Sequence, residues 1–566
     1  MNVPSDRSLE EASAPSGVSL GRAGWGLLLA GALLSGVALS QTQLFRDEAN
    51  TFATAQAPSV RAMLDDLIRD GNTPLYPLLL RALFRVFGSR DVVAQSFSVG
   101  CFLAACGVLF RWTARTAGRT AGLCALASAV LGGIWLDVAL QVRPYALVVL
   151  CATLALQAWI SLGEGRGRPL RHAGVLGLAM TGALYTHPWA VFAFGSMGAI
   201  SGFALVFGER ESRVRWGWVC GTLLAAGAAW SPLLLLQLKQ AGQNLAPWSG
   251  PASWESLLLL VQNNLLSLQL LAVMVLVDAV LFWTRAPRLL PGTQEMRRRA
   301  RPVVLVLLWL LGFLALAVAA SFVTTCWAGR YAVIATPGAF FILGIWAGRM
   351  WEGRGRCRRR MARGLLVFGF VGALRWTLVG MGDGYFQKTN AREMADAIKV
   401  CWQPGDLVVV SSFAYAPSIA HYLPPEYPIM AYPYGDRGVI TRWAGIAAKI
   451  LDDSSVAAFT SSVDARLRPS SRLWLVDPFK ATAMGYGVAS GWIQRPVGRR
   501  RFNYAEVLRT VEIERWCSAN GKKVAAFRPM EETRVREGFY VSLFVMKTGE
   551  KPPAVVSDGG KEGLLR

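Results

Sequence analysis

Two adjacent carboxylates, Asp47 and Glu48, follow Arg46 and are the residues of this 566-residue chain best placed for acid–base chemistry. One hypothesis is that a carboxylate acts as a general base, taking the proton of an acceptor hydroxyl as that hydroxyl attacks an activated carbon. The alternative is structural, because acidic residues at this point are also typical of a helix start in a solvated loop. The three residues by themselves leave both interpretations open.

The elements that must hold these residues are apolar helices. Hydrophobic residues make up 53% of the chain, which has 21 Trp and a mean hydropathy of +0.36. A bilayer-spanning helix needs about 20 mostly apolar residues, because its backbone must satisfy its own hydrogen bonds without water. The sequence predicts eleven such spans, at 23–40, 92–110, 120–136, 144–162, 173–186, 189–207, 216–236, 265–284, 302–322, 331–348 and 364–381.

The arginines alternate from loop to loop and so give the membrane region an orientation. The loops after spans 2, 4, 6, 8 and 10 hold 3, 3, 3, 6 and 7 Arg, whereas the short loops between them hold only Arg143, Lys239 and Arg330. Positive loops face the cytoplasm. We therefore expect a multi-pass protein of the plasma (inner) membrane with a cytoplasmic N-terminal tail, 1–22. The net charge of +23 is mainly a topology signal, and we expect no nucleic-acid partner.

The transmembrane region, 23–383, carries a structured first outer loop at 41–91. Apolar residues recur at helical spacing from Pro58 to Asp70, and a second helix is predicted from Pro77 to Phe87, both at the membrane surface. After Gly384 the charges are evenly spread, which predicts a soluble extracytoplasmic α/β domain over 384–548. The tail, 549–566, has the composition of a disordered segment.

With this layout, four segments on the outer side resemble the GT-C superfamily of glycosyltransferases. The resemblance is to the family 39-like group, which includes protein O-mannosyltransferases, aminoarabinose transferases and lipopolysaccharide-core galacturonosyltransferases. The matching segments are Arg46–Ala49, Gln141–Leu147, Leu184–His187 and Gly329–Tyr331 followed by Pro337. The expected fold is an α-helical polytopic membrane protein of GT-C type, with about 11 transmembrane helices and a C-terminal α/β domain.

The resemblance implies an inverting transfer of a sugar from a polyprenyl-phosphate donor to an acceptor outside the cytoplasm. It makes Asp47 the expected base and Glu48 a residue that helps to position it. A lipid-phosphate leaving group gains negative charge as the glycosidic bond breaks, and fixed cations stabilise such charge. We therefore expect phosphate contacts from three arginines, Arg46, Arg143 and Arg330.

Four more residues are candidates for substrate binding, namely Tyr145, His187, Tyr331 and Asp137. The outer arginines and His187 have plainer alternatives, since outer arginines also reach lipid headgroups and a turn histidine also caps a helix end. Val142 and the segment Asn72–Pro74 depart from the family pattern, which leaves donor identity and metal use open. We predict no resident metal or cofactor, although the sequence does not exclude a divalent metal.

The acceptor expected on family grounds is an envelope glycan such as lipopolysaccharide, a lipid or a protein. A second function class is a non-enzymatic flippase or carrier of lipid-linked glycan intermediates. A transporter of that kind is expected to show inverted repeats and interrupted helices with polar groups at the midplane. The polar residues here gather instead on one side of the membrane region, which favours the enzyme.

Overall fold

The computed structural model describes residues 19–131, 133–242, 252–253, 294–323, 328–352, scattered positions between 360 and 378, and 388–440, 445–468, 471–478, 501–527 and 539–547. The predicted span at 265–284, most of that at 364–381 and the tail at 549–566 lie outside the described residues. So do residues 1–18 of the predicted N-terminal tail.

Helices make up the described part of the membrane region. In chain order they are α1 (Gly21–Gln41), α2 (Arg46–Gln56), α3 (Val60–Asp70), α4 (Leu75–Phe87), α5 (Asp91–Ala117), α6 (Arg119–Leu131), α7 (Gly133–Ala139), α8 (Tyr145–Gly163), α9 (Pro169–Thr186), α10 (Ala190–Phe207), α11 (Arg210–Gly242), α12 (Gln294–Val323), a 3-10 helix (Gly329–Ala335) and α13 (Thr336–Glu352). Within the described ranges, 7 helices are long and apolar enough to cross a membrane: α1, α5, α8, α10, α11, α12, and α13 together with most of the 3-10 helix.

Two predicted spans within the described ranges are not among these seven: the span at 173–186, which lies within α9, and the span at 120–136. The stretch predicted as a single helix at 120–136 is divided between α6, of 13 residues, and α7, of 7 residues. A helix of 13 residues is about 20 Å long, short of the ~30 Å hydrocarbon core. Helix α6 is nevertheless buried along most of its length, so its backbone is shielded by neighbouring helices rather than by lipid.

Small residues let α6 and α13 approach closely. A Cβ added to Gly344 would lie 2.5 Å from the Cβ of Ala125, and one added to Gly348 would lie 2.7 Å from the Cα of Ala121. Such small-residue contacts are how helices pack tightly in a membrane. They hold α13, the helix that follows the 3-10 helix bearing Arg330, against α6.

The first loop contains three helices, not the two predicted. Helix α2 begins directly at Arg46, so the acidic pair occupies its first turn, where carboxylates interact favourably with the helix dipole. Helix α3 is capped by Ser59, whose hydroxyl accepts from the Ala62 amide at 3.1 Å, and it ends at Gly71 with φ of 80°. The tight turn at Gly71 leads the chain into α4.

The C-terminal region forms an α/β domain around a five-stranded sheet. Its elements are α14 (Ala391–Cys401), β1 (Leu407–Val410), α15 (Ala416–Tyr422), β2 (Ile429–Ala431), α16 (Ile446–Leu451), α17 (Ser455–Asp464), β3 (Arg472–Pro478), α18 (Arg501–Asn520), β4 (Gly521–Phe527) and β5 (Phe539–Met546). The strand order is β2-β1-β3-β5-β4. β1 runs parallel to β2 and β3, whereas β5 is antiparallel to β3 and β4.

The sequence of this domain predicts strands at 407–411, 472–476 and 540–546 and helices at 391–400, 439–451 and 505–518. The buried strands β1, β3 and β5 and the helices α14 and α18 occur close to these positions, and α16 covers the end of the helix predicted at 439–451. Two strands and two helices were not predicted: β2, β4, α15 and α17. β2 has only three residues, and β4 has a half-exposed pattern with Lys522 and Lys523, so neither shows the continuous apolar run of a central strand.

Helix α15 of this domain lies against α2 of the first loop. The rings of His421 and Phe52 are 4.7 Å apart, and His421 Nε2 lies 2.9 Å from Oδ1 of Asp91. The Leu44 amide donates to the Tyr422 hydroxyl at 2.7 Å. The domain is therefore seated directly on the segment that carries Asp47.

Candidate active site

The carboxylate of Asp47 lies among three guanidinium groups. Arg46 Nε is 3.6 Å from its Oδ1 and Arg330 Nη2 is 3.6 Å from its Oδ2. Arg143 donates from Nη1 to the Asp47 carbonyl at 3.3 Å and to the Thr51 hydroxyl at 3.2 Å. Asp47 and Arg46 belong to α2, Arg143 to the turn before α8, and Arg330 to the 3-10 helix, so three segments distant in sequence supply one charge cluster.

Charge sets the protonation state of Asp47. Burial raises the pKa of this carboxyl, but attraction to Arg143, Arg46 and Arg330 outweighs burial and holds the pKa below its ordinary value. Asp47 is consequently ionised at neutral pH. Its side chain is 18% exposed and that of Arg330 is 43% exposed, so a ligand can reach both.

An aromatic wall stands beside the charge cluster. The rings of His187 and Tyr331 are 4.7 Å apart, and Tyr145 lies 5.7 Å from His187 and 6.3 Å from Tyr331. The guanidinium of Arg330 lies 5.5 Å from the Tyr331 ring, and that of Arg143 lies 5.9 Å from the Tyr145 ring. Planar rings of this kind offer apolar faces on which a sugar or an isoprenyl unit can pack.

His187 is a neutral hydrogen-bond donor at the site. Burial, and then repulsion from Arg143 and Arg330, lowers its pKa to about 3. Its Nδ1 accepts from the Trp189 amide at 3.1 Å, which places the ring proton on Nε2. His187 also follows the last residue of α9 and so occupies a helix end, the position that the capping alternative expects.

Two buried polar atoms of the site have no hydrogen-bond partner within the described residues. They are the hydroxyl oxygen of Tyr145 and Nε of Arg143, in residues that are 3% and 8% exposed. Buried polar groups are nearly always paired, so an unpaired one calls for an explanation. A phosphate or sugar oxygen bound between Tyr145 and Arg143 would satisfy both.

Glu48 points away from this cluster. It is fully buried, and its Oε1 accepts from the Val142 amide at 2.9 Å and from Lys388 Nζ at 2.6 Å. Its Oε2 accepts from the Phe45 amide at 3.2 Å. With both oxygens engaged inside the protein, Glu48 holds the surrounding segments in place and does not face the open side of the site.

Asp70 is a second carboxylate near Asp47 that the sequence did not single out. Burial raises its pKa to about 7, with Arg143 lowering it and the negative charge of Asp47 raising it. Asn72 and Asn50 donate hydrogen bonds to it. Asp70 is the last residue of α3 and lies on the polar side of this amphipathic helix. From the sequence alone, such a residue cannot be distinguished from an acid that is exposed to solvent.

Asp137 accepts a hydrogen bond from the Gln141 side chain at 3.0 Å, in the turn that leads to Arg143. It thus contacts the segment that carries Arg143. Within the described residues, three or more His, Cys, Asp or Glu side chains nowhere meet in a group that could hold a metal ion.

The soluble domain reaches the cluster through Arg46. The guanidinium lies 5.3 Å from the Tyr415 ring, and Arg46 also lowers the pKa of Glu506, which burial raises. Ser412 donates to Glu506 Oε1 at 2.6 Å. Arg46 therefore lies between Asp47 of the membrane region and two residues of the domain.

Solved structures share this architecture. ArnT from Cupriavidus metallidurans in the apo state matches with a TM-score of 0.54 at 14% identity, covering 82% of this chain and 95% of ArnT. The chain has the GT-C fold. The same ArnT bound to undecaprenyl phosphate matches over 92% of this chain and 98% of that one, with a TM-score of 0.54 and 12% identity.

A third structure with the GT-C fold extends the likeness. The Archaeoglobus fulgidus oligosaccharyltransferase tethered with an acceptor peptide matches over 92% of this chain and 74% of that one, with a TM-score of 0.52 and 10% identity. Neither a protein-family model nor a curated protein matches the sequence. The predicted fold class is confirmed, and with seven apolar helices of membrane-spanning length among the described residues the chain is an integral membrane protein.

Proposed function

We propose that this chain is an inverting glycosyltransferase of the plasma membrane that moves a sugar from a polyprenyl-phosphate donor to an extracytoplasmic acceptor. The observation that carries the proposal is the Asp47 carboxylate among three arginines on a GT-C fold. The acceptor is an envelope glycan, a lipid or a protein. One of the matched structures, ArnT, was solved with undecaprenyl phosphate, which supports a polyprenyl-phosphate partner for this chain too.

In the proposed reaction Asp47 takes the proton of the acceptor hydroxyl, and the acceptor oxygen bonds to the anomeric carbon of the sugar. The bond from that carbon to the phosphate oxygen breaks, and its electron pair passes to the phosphate. Attack opposite the leaving group inverts the anomeric configuration. Arg143, Arg330 and Arg46 stabilise the charge that grows on the phosphate.

The three arginines attract both the Asp47 carboxylate and the donor phosphate. Because the two anions compete for the same cations, a bound phosphate makes Asp47 a stronger base. With the site empty, the three cations depress the pKa of Asp47 and make it a weak base. A bound phosphate draws the same cations to itself, so their attraction for Asp47 weakens and its pKa rises. Donor binding thus activates the base at the moment it is needed.

The remaining predicted residues have supporting roles in this proposal. His187 donates from Nε2, Tyr145 offers its unpaired hydroxyl, and Tyr331 closes the aromatic wall around donor phosphate or sugar. Asp137 stays a proposed substrate-binding residue, next to the Arg143 turn. Glu48 positions Asp47 and Arg143.

The test is a transfer assay with purified protein, a panel of undecaprenyl-phosphate sugars and an envelope-glycan extract. We expect the wild-type protein to release undecaprenyl phosphate and form a product of inverted anomeric configuration, read by NMR. Asp47→Asn is expected to lose this activity, whereas Asp65→Asn, at an exposed acid of α3, keeps it. Normal transfer by a folded Asp47→Asn protein would rule out Asp47 as the base.

A further inference from the structure

Lys388, the first residue of the soluble domain that the structure describes, lies fully buried against the first loop. Its Nζ donates to Glu48 Oε1 at 2.6 Å and to the Leu140 carbonyl at 2.6 Å, and it lies 5.7 Å from the Phe45 ring. Both Lys388 and Glu48 are 0% exposed. A lysine in such a place requires a charged partner, because an unpaired buried ammonium is very costly.

The Glu48–Lys388 pair joins three segments. Through Glu48 it reaches the amides of Phe45 and Val142, and through Lys388 it reaches the carbonyl of Leu140. Phe45 and Glu48 enclose Arg46 and Asp47, and Val142 is followed by Arg143. The pair therefore ties down the backbone on both sides of the charge cluster without touching the cluster itself.

Contacts around the pair seat the soluble domain at the same place. Arg392 donates from Nη2 to Asp91 at 3.0 Å and from its amide to Gln43 Oε1 at 2.8 Å. Together with the His421–Asp91 contact, these bonds place α14 and α15 beside the start of α2. Lys388 lies three residues before α14, so these bonds and the Glu48–Lys388 pair belong to one junction between the domain and the first loop.

We propose that Lys388 is a positioning residue, which makes the geometry of Asp47 and Arg143 depend on docking of the soluble domain. This rests on the proposed transferase function. Without Lys388, Glu48 is a buried carboxylate with no counter-ion; it takes up a proton or moves, and the Phe45 and Val142 segments loosen. Misplacing a base or phosphate-binding group by about 1 Å can cost about 100-fold in rate.

The test compares Lys388→Met with Lys399→Met, a matched control at a partly exposed lysine of α14 that pairs with Asp396 at 2.8 Å. We expect Lys388→Met to lower kcat about 100-fold and Lys399→Met to match the wild type. Hydrogen–deuterium exchange is expected to be faster in Lys388→Met at the peptides containing Phe45 and Val142. Wild-type kcat and exchange in a folded Lys388→Met protein would overturn the proposal.

A pH profile separates positioning from general destabilisation. In Lys388→Met, burial keeps Glu48 protonated to higher pH, so kcat is expected to rise with pH along a limb that the wild type lacks. The other titratable groups facing Glu48 are Tyr76 of α4 and Tyr422 of α15, and burial raises the pKa of both, so neither titrates near neutrality. Asp47, on the same helix, is present in every variant compared.

The double variant Glu48→Gln/Lys388→Met provides the test if Lys388→Met fails to fold. It removes both charges and leaves a side-chain carbonyl to accept from the Val142 amide. We expect it to fold, to lack the new pH limb, and to recover exchange protection relative to Lys388→Met. Independent, additive effects of the two substitutions would contradict coupling through the pair. If no donor is transferred by the wild type, the proposed function fails, while the exchange data still decide whether Lys388 holds the loop.

Discussion

Asp47 and Glu48 are neighbours in the first turn of α2, yet they face two different regions of the molecule. Asp47 faces a partly open cluster of arginines with aromatic rings beside it. Glu48 faces a closed junction between the first loop and the soluble domain, where amides and Lys388 occupy both of its oxygens. Successive residues of a helix point about 100° apart. One turn of α2 can therefore contribute to both the proposed reactive region, formed by Asp47 and its arginines, and the structural region, formed by Glu48 and Lys388.

The two regions also shift the pKa values of their carboxyl groups in opposite directions. The pKa of Asp47 is lowered because cations outweigh burial, whereas that of Glu48 is raised because burial outweighs Lys388. A surplus of cations around Asp47 suits a site that must accept an anion. A matched pair around Glu48 suits a site that must exclude one.

The largest expected effect is the loss of kcat in Asp47→Asn, which tests the difference between the two carboxylates directly. Asp47→Asn is expected to lower kcat by about 10²- to 10⁴-fold, the contribution typical of a general base. It should leave undecaprenyl phosphate binding unchanged or tighter, because the carboxylate that competes for the arginines is gone. Glu48→Gln should also lower kcat by misplacing Asp47, but it should differ in lowering the free energy of unfolding by about 3–5 kcal/mol, the cost of breaking a buried pair.

The measurements for this pair are kcat, the Kd for undecaprenyl phosphate and the thermal unfolding of each variant in detergent. Asp65→Asn is the control for loss of an acid at an exposed position of the same loop. If Asp47→Asn unfolds early while Glu48→Gln loses only kcat, the roles assigned to the two carboxylates are reversed.

Within the reactive region, Arg143 and Arg330 differ in burial, and this sharpens the comparison. Arg143→Gln is expected to weaken undecaprenyl phosphate binding about 10- to 150-fold, the equivalent of one charge-assisted hydrogen bond of ~1.5–3 kcal/mol. Arg330→Gln is expected to cost about two- to tenfold, since its side chain is 43% exposed and solvent screens it. Arg85→Gln, on α4, is the control for loss of a first-loop arginine.

Titration calorimetry or fluorescence with undecaprenyl phosphate in detergent would measure these constants at one ionic strength. The acid limb of the pH–rate profile should also move to higher pH in Arg143→Gln, because the strongest attraction on the Asp47 carboxylate is lost. Equal effects of the two arginines would show that burial does not set their contribution.

Local periodicity allowed much of the fold to be predicted, and long-range pairing explains what was missed. The apolar spans, the amphipathic helix ending at Asp70 and the buried strands of the domain each have a pattern within one segment. Lys388 reaches Glu48 across 340 residues, and no local pattern marks either end of that pair. Asp70 was missed for the same reason, since its neighbours Arg143 and Asp47 belong to other segments.

The candidate site was predictable only as a set of separate residues. Seven residues were selected by their position in the sequence and by family resemblance, and the structure brings them together. They are Arg46, Asp47, Arg143, Tyr145, His187, Arg330 and Tyr331. Their chemical roles stay predictions. Which carboxylate faces the arginines could not be read from two adjacent acids, because that depends on how α2 is rotated against its neighbours.

The smallest expected effect concerns Asp70, whose ionisation links the reactive region to pH. Its pKa of about 7 means that it gains negative charge as pH rises through neutrality, beside the arginine proposed to hold the donor phosphate. The affinity for undecaprenyl phosphate is therefore expected to fall by a few-fold between pH 6 and 8 relative to that of Asp70→Asn. The phosphate ionises in the same range and acts in the opposite direction, but it does so equally in both proteins, so the ratio of the two Kd values isolates Asp70. The raised pKa of Asp70 also means that the folded state binds this proton more tightly than the unfolded state does. The contribution of Asp70 to the free energy of unfolding is therefore lost as pH rises from about 4 to 7. Asp70→Asn should remove this dependence of stability on pH. A Kd ratio that does not change with pH would show that the charge of Asp70 is not felt at the phosphate site, and would confine the reactive region to Asp47 and its arginines.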